Sequence, residues 1–215
     1  MENNELEKRI YRIKQEMIRL LNALHTFEIT DVISKTYNSN SLDVALRAEH
    51  IACTMRGIVL DSSSVSKLDF MHDVIEEHQI KIEQINEGLK IEFPCLLPKK
   101  KQHKTTKFIT DPLFYAFSQY TAQHKIELYK QYVVCFVHCY NKRLPERRIR
   151  DYDNIEVKQV LDVITAFFME DDTGKNCDIF HTTWIGEKDC TQVYIMQKEY
   201  FPQWLVSQKP GLLLG

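Results

Sequence analysis

Residues 131–140 read QYVVCFVHCY and offer almost no polar side chain to solvent. A continuous apolar run of this length fits a central strand covered on both faces, because a half-buried strand would alternate. The run therefore predicts a sheet with helices packed against it, an α/β (α+β) fold. Other strands surround it in the sequence. IKIEQIN (80–86) and LKIEF (89–93) alternate apolar and polar residues, with the hairpin signal Glu87-Gly88 between them. Pro94 and Pro98 end the second of these. Two further strands are expected at 178–185 and 191–197, joined by a turn containing Gly186.

The rest of the chain shows helical spacing. Leu6, Ile10, Ile13, Met17, Leu20, Leu21 and Leu24 predict a helix over 3–26, used for core packing or for self-association. TYNSNS (36–41) reads as a polar break, after which Ser41 or Asp43 caps a second helix running to about Gly57. DSSSVS (61–66) reads as a loop and 68–78 as a short helix. Thr110 or Asp111 is expected to cap a helix through about Leu128. Asp153 is expected to cap another, with Glu156 at the reciprocal capping-box position. A short closing helix is expected over 198–206. The organisation expected is a helical region over 1–75, an α/β domain over 76–207 with a small mixed sheet, and a tail over 208–215.

Composition narrows the function classes. Hydrophobic residues make up 44% and aromatic residues 11%, enough for a buried core and against disorder. No apolar stretch approaches the ~18 residues of a membrane span. The N-terminus, MENNELEKRI, lacks the apolar core of a secretory signal, so the expected address is the cytoplasm. The six cysteines contain no CxxC pair, which removes zinc-ribbon spacing and leaves buried reduced thiols.

The formal net charge is −2, so attraction to nucleic acid has to come from local patches. Two exist. Lys99, Lys100, Lys101, His103, Lys104 and Lys107 follow the second strand. Lys142, Arg143, Arg147, Arg148 and Arg150 follow the central one. Such groups bind phosphates in a salt-dependent way. The second patch leads into Asp151 and Asp153, and an acidic run, Glu170, Asp171 and Asp172, returns after one helix. Converging carboxylates repel one another unless a cation sits between them, and oxygen-only ligation suits Mg²⁺ or Mn²⁺. Such an ion can activate water and stabilise phosphoryl transfer. Each feature also has a plain structural reading. KKKQHK could be a solvated loop, Asp153 a helix cap, the acidic run a surface turn and His138 a satisfied core histidine. Cys177 and His181 are discounted as a metal site.

The stretch RRIRDYDNIEVKQVLDVITAFFMEDD (147–172) resembles the RusA family of Holliday-junction resolvases. The likeness lies in an arginine-rich lead-in, an Asp-x-Asp-Asn turn, a helix and an Asp-Asp pair. LKIEFPCLLPKKKQHK matches the family's first strand, prolines and basic loop, and the resemblance covers about 89–197. It implies a small mixed-sheet domain, usually dimeric, that cleaves branched DNA with Mg²⁺. Asp151, Asp153 and Asp172 match the metal-binding aspartates, with Asp171 as a backup ligand, and Asn154 matches the following Asn. The catalytic lysine is expected four residues after the second aspartate. Val157 stands there and Lys158 comes next. The family's Asn-Arg-Tyr element is absent from the first basic loop. The chain is also similar to an uncharacterised family from Gram-positive bacteria and their mobile elements.

Three readings follow. One is a metal-dependent, structure-selective DNA endonuclease, with Lys158 stabilising charge at the phosphate. The second is a RusA-fold protein that has lost catalysis and binds DNA or a protein partner; the displaced lysine favours it. The third is a structural or regulatory protein with no nucleic-acid role.

Overall fold

A computed structural model of the chain describes residues 3–86, 88–100 and 106–208, without the side chains of Asn3 and Arg147. It divides into two compact units, Met1–Met71 with His103–Ile109 and His72–Gln102 with Thr110–Gly215.

In the first unit, α1 (Asn3–Glu28) and α2 (Tyr37–Ser62) form an antiparallel hairpin. Leu6, Ile13, Leu20 and Phe27 recur every seven residues, so they share one face of α1. Phe27 meets the Tyr37 ring at 5.0 Å at one end of the hairpin. At the other end Arg9 pairs with Asp61 at 2.6 Å. Between them Arg47 reaches Asp43 at 2.8 Å and Glu16 at 3.9 Å. The expected polar break at 36–41 is not there, because α2 already begins at Tyr37. Ser39 and Ser41 donate their hydroxyls to the carbonyls of Thr36 and Asn38, at 2.8 and 3.0 Å. That back-bonding lets polar residues sit inside a helix. The helix also runs to Ser62, past the expected end at Gly57.

The remaining helices are α3 (Lys67–His78), α4 (Lys107–Gln123), α5 (Lys158–Phe168) and α6 (Phe201–Ser207). The helix expected from Thr110 to Leu128 starts and stops earlier. Its exit is set by tertiary pairing, since Tyr129 forms a bridge with Met169. No described helix is long and apolar enough to cross a membrane.

The strands are β1 (Lys81–Ile85), β2 (Gly88–Phe93), β3 (Tyr132–Asn141), β4 (Cys177–Gly186) and β5 (Cys190–Gln197). They form one five-stranded mixed sheet in the order β1-β2-β5-β3-β4. Only β3 and β4 are parallel, joined through α5 as parallel neighbours require. Every β3 residue except Asn141 is buried, as the apolar run predicted. Alternation sends Val133, Cys135, Val137 and Cys139 to one face, where they pack with Tyr194, Met196 and Trp204 of α6. The opposite face carries Tyr132, Val134, Phe136, His138 and Tyr140. There, Phe117 of α4 meets Phe168 of α5 edge-on at 4.7 Å. Gly88 allows β2 to lie close against β5, since a Cβ there would fall 1.9 Å from the Ile195 carbonyl oxygen.

Candidate functional site

The second face of β3 changes character along its length. Its first half is apolar. Its second half carries His138, flanked by Thr183 on β4 and Thr191 on β5. His138 is 1% exposed, and its Nε2 lies 3.2 Å from Nδ1 of His181. Its own Nδ1 has no hydrogen-bond partner among the described residues. Burial, followed by the fields of His181 and Arg150, pushes the His138 pKa down to about 4. Burial also lowers that of His181, so both imidazoles are neutral at pH 7. Tyr152 stacks over both rings, at 5.8 and 5.2 Å between centroids. Its hydroxyl shares a hydrogen bond with Thr183 Oγ1 at 3.1 Å.

Tyr152 reaches this position through the segment that follows β3. The Arg150 N–H donates to the Tyr140 hydroxyl at 3.1 Å, and its guanidinium donates to the Leu97 carbonyl at 2.5 Å. Arg148 donates to Asp189 Oδ2 at 2.5 Å, and the Asn141 N–H donates to Oδ1 at 2.8 Å. Burial pushes the Asp189 carboxyl up, but these donors and the charges of Arg148 and Arg150 outweigh it and hold the group below its ordinary value.

The start of the first basic segment meets the chain that follows the second beside this turn. Lys99 forms an antiparallel bridge with Ile155. The Lys100 N–H donates to the Asn154 carbonyl, and the Glu156 N–H to the Pro98 carbonyl, both at 2.9 Å. This pairing also corrects the expected helix start. Asp153 caps nothing; it sits in a 3₁₀ turn, Tyr152–Asn154. The Asn154 carbonyl and the Glu156 N–H bond to 98–100 instead of continuing that turn into a helix, so α5 begins only at Lys158 with Val157 as its N-cap. Glu156 is buried, and its carboxylate accepts from the Gln159 N–H at 3.4 Å.

Of the expected phosphate-binding residues, Lys99, Lys100 and Arg143 are exposed and have no carboxylate partner among the described residues. Arg148 and Arg150 are engaged as above, and Lys142 pairs with Glu187. Lys107 opens α4 and belongs to the first unit. Lys101, Lys104 and the Arg147 side chain lie outside the described residues.

The carboxylates expected to share an ion are held at different places. Asp151 and Asp153 lie exposed on either side of Tyr152. Asp151 follows Arg150, which is anchored to Tyr140. Asp171 is anchored at the other end of β3, where its carbonyl accepts from the Tyr132 hydroxyl at 2.5 Å. Those two tyrosines stand roughly 26 Å apart at ~3.3 Å per residue. An ion ligated at ~2.1 Å joins carboxylate oxygens only ~4 Å apart. The Asp171 carboxylate accepts instead from the Thr173 hydroxyl at 2.8 Å. Asp172 lies close enough to Tyr132 and Cys177 to act on their ionisation. Lys158 pairs with Asp162 at 2.8 Å, and its pKa is raised first by Asp162 and to a lesser degree by Asp172. Among the described residues no group of three or more His, Cys, Asp or Glu side chains is placed to hold a metal ion.

The His138–His181–Tyr152 stack was not part of the site expected from sequence. Its only sequence signal is two histidines in two strands. Whether they share a face depends on the β3–β4 register, which periodicity does not supply.

A family model described as "Family of unknown function (DUF6100)" matches residues 2–213. The chain belongs to that family. No curated protein matches this DUF6100 chain. Two crystal structures of the periplasmic domain of Helicobacter pylori MotB do match. One is 10% identical, covers 60% of this chain and 85% of its own, and has a TM-score of 0.35. The other is 13% identical, covers 59% and 93%, and has a TM-score of 0.32. Likeness at that level carries no argument about fold or function.

Proposed function

We propose that this protein binds the phosphate backbone of nucleic acid, branched DNA being the class suggested by the RusA resemblance, through the basic segments beside the Tyr152 turn. The observation that carries this reading is the backbone pairing of 98–100 with 154–156. It fixes Lys99 and Lys100 beside the chain that leads on from Arg143. Phosphate contacts supply most sequence-independent affinity. Exposed cations without carboxylate partners are the ones free to make them. Tyr152, Arg150 and the histidines beneath form the rigid floor that holds this turn in position.

Binding is favoured over cleavage. Mg²⁺-dependent hydrolysis by Asp151, Asp153 and Asp172 requires the three to converge, and the Tyr140 and Tyr132 anchors favour their separation. A reducing, cytoplasmic setting goes with this reading, since all six cysteines are free thiols.

The test is fluorescence anisotropy of a labelled duplex and a labelled four-way junction, with and without Mg²⁺, followed by electrophoresis of the same DNA. The expected result is saturable binding that is weakened by Lys99→Glu/Lys100→Glu/Arg143→Glu and leaves the DNA intact. No binding, or equal binding by the triple variant, contradicts the proposal. Mg²⁺-dependent cuts lost in Asp153→Asn would restore the nuclease reading.

A further inference from the structure

The helix α1 carries two apolar stripes. One, through Leu6, Ile13, Leu20 and Phe27, faces α2. The other runs through Ile10, Met17, Leu21 and Leu24, with Tyr11 and Ile18 beside it. All six of these residues are exposed, Leu21 at 66% and Tyr11 at 63%. At ~100° per residue the outer stripe is centred about 60° around the helix from the inner one, and Tyr11 and Ile18 carry the exposed apolar surface about 100° further. A helix with one neighbour needs one stripe. An apolar surface that extends this far past the α2-facing stripe suits a helix with two neighbours, as in a four-helix bundle. Contiguous exposed apolar residues on this scale mark an interaction surface.

The charges within the outer stripe indicate which partner fits. Ile10, Lys14, Met17, Leu21, Leu24 and Glu28 follow a strict alternation of four and three residues, the seam of an antiparallel or parallel helix pair. Lys14 and Glu28 stand seven residues on either side of Leu21. Antiparallel pairing of two identical helices about Leu21 sets each Lys14 opposite the other copy's Glu28. Parallel pairing would oppose lysine to lysine and glutamate to glutamate. Lys14 has no carboxylate partner among the described residues, and Glu28 meets only His25, at 3.7 Å. The surface is thus complementary to itself in one orientation, as an isologous contact requires.

We propose that the outer face of α1 is a docking surface for α1 of a second copy of this chain, paired antiparallel about Leu21 so that two α1–α2 hairpins close a four-helix bundle. This is independent of nucleic-acid binding, which uses residues of the other unit.

Sedimentation velocity of the full chain over a range of concentrations tests it. The wild type is expected to be a dimer, and Met17→Glu/Leu21→Glu a monomer with unchanged far-UV circular dichroism, because both side chains are exposed. Lys14→Glu alone is expected to raise the dissociation constant several-fold, and Lys14→Glu/Glu28→Lys to recover it. A monomeric wild type, a dimer that survives Met17→Glu/Leu21→Glu, or a charge exchange that fails to recover association would each overturn the proposal.

Discussion

A neutral imidazole at His138 ties the stability of the second unit to pH. The folded-state pKa, about 4, lies below the ordinary value of 6.5, so the unfolded chain binds the proton more tightly. The contribution of His138 is therefore complete above pH 6.5. It is lost as pH falls towards 4, by about 3 kcal/mol at ~1.4 kcal/mol per pKa unit. His181 shifts in the same direction. Thermal unfolding measured from pH 7 to pH 4 should show a steep loss of stability in wild type and a shallower one in His138→Phe. Identical slopes would mean that another group titrates. At Phe168, fully buried and edge-on to Phe117, truncation to Ala removes a ring from the face of β3 that α4 and α5 cover. Denaturant unfolding should register a loss of roughly 3–5 kcal/mol.

At the scale of elements, the β2–β5 pairing rests on Gly88. Gly88→Ala places a methyl group against the Ile195 carbonyl, where backbone has to move. The expected cost is about 3 kcal/mol or more in denaturant unfolding. A change within ~0.5 kcal/mol would show that the two strands separate there at little cost. The elements most legible in the sequence were those with a clean period. The run at 131–140 became β3, 80–93 became the β1–β2 hairpin, and the apolar repeat over 3–26 became α1. Helix starts were less legible, for a physical reason in each case. Polar Ser39 and Ser41 satisfy themselves inside α2, so they do not break it. Asp153 has the chemistry of a cap, but the neighbouring backbone bonds to 98–100, a partner over fifty residues away in sequence. The site followed the same pattern. The basic segments and the Asp-x-Asp turn could be read from composition and spacing, but their meeting point could not. The His138–His181 pair depends on strand register, which only the folded sheet reveals.

At the scale of the whole molecule, a chain of net charge −2 gains no general attraction to DNA, so the proposed binding would rest on Lys99, Lys100 and Arg143. The placement of the aspartates gives a separate expectation. Adding Mg²⁺ should leave the melting temperature unchanged, because a ligand stabilises only a state that binds it. A Mg²⁺-dependent rise that disappears in Asp153→Asn would bring Asp151, Asp153 and Asp172 back together as a metal site. The most direct measurement of the central claim is the salt dependence of DNA affinity, wild type against Lys99→Glu/Lys100→Glu/Arg143→Glu. A linear fall of log K with log salt is predicted, with the slope reduced in magnitude by roughly 2 to 3 in the variant, at ~0.9 for each phosphate the variant no longer neutralises. Equal slopes for the two proteins, or a wild-type affinity indifferent to salt, would contradict it.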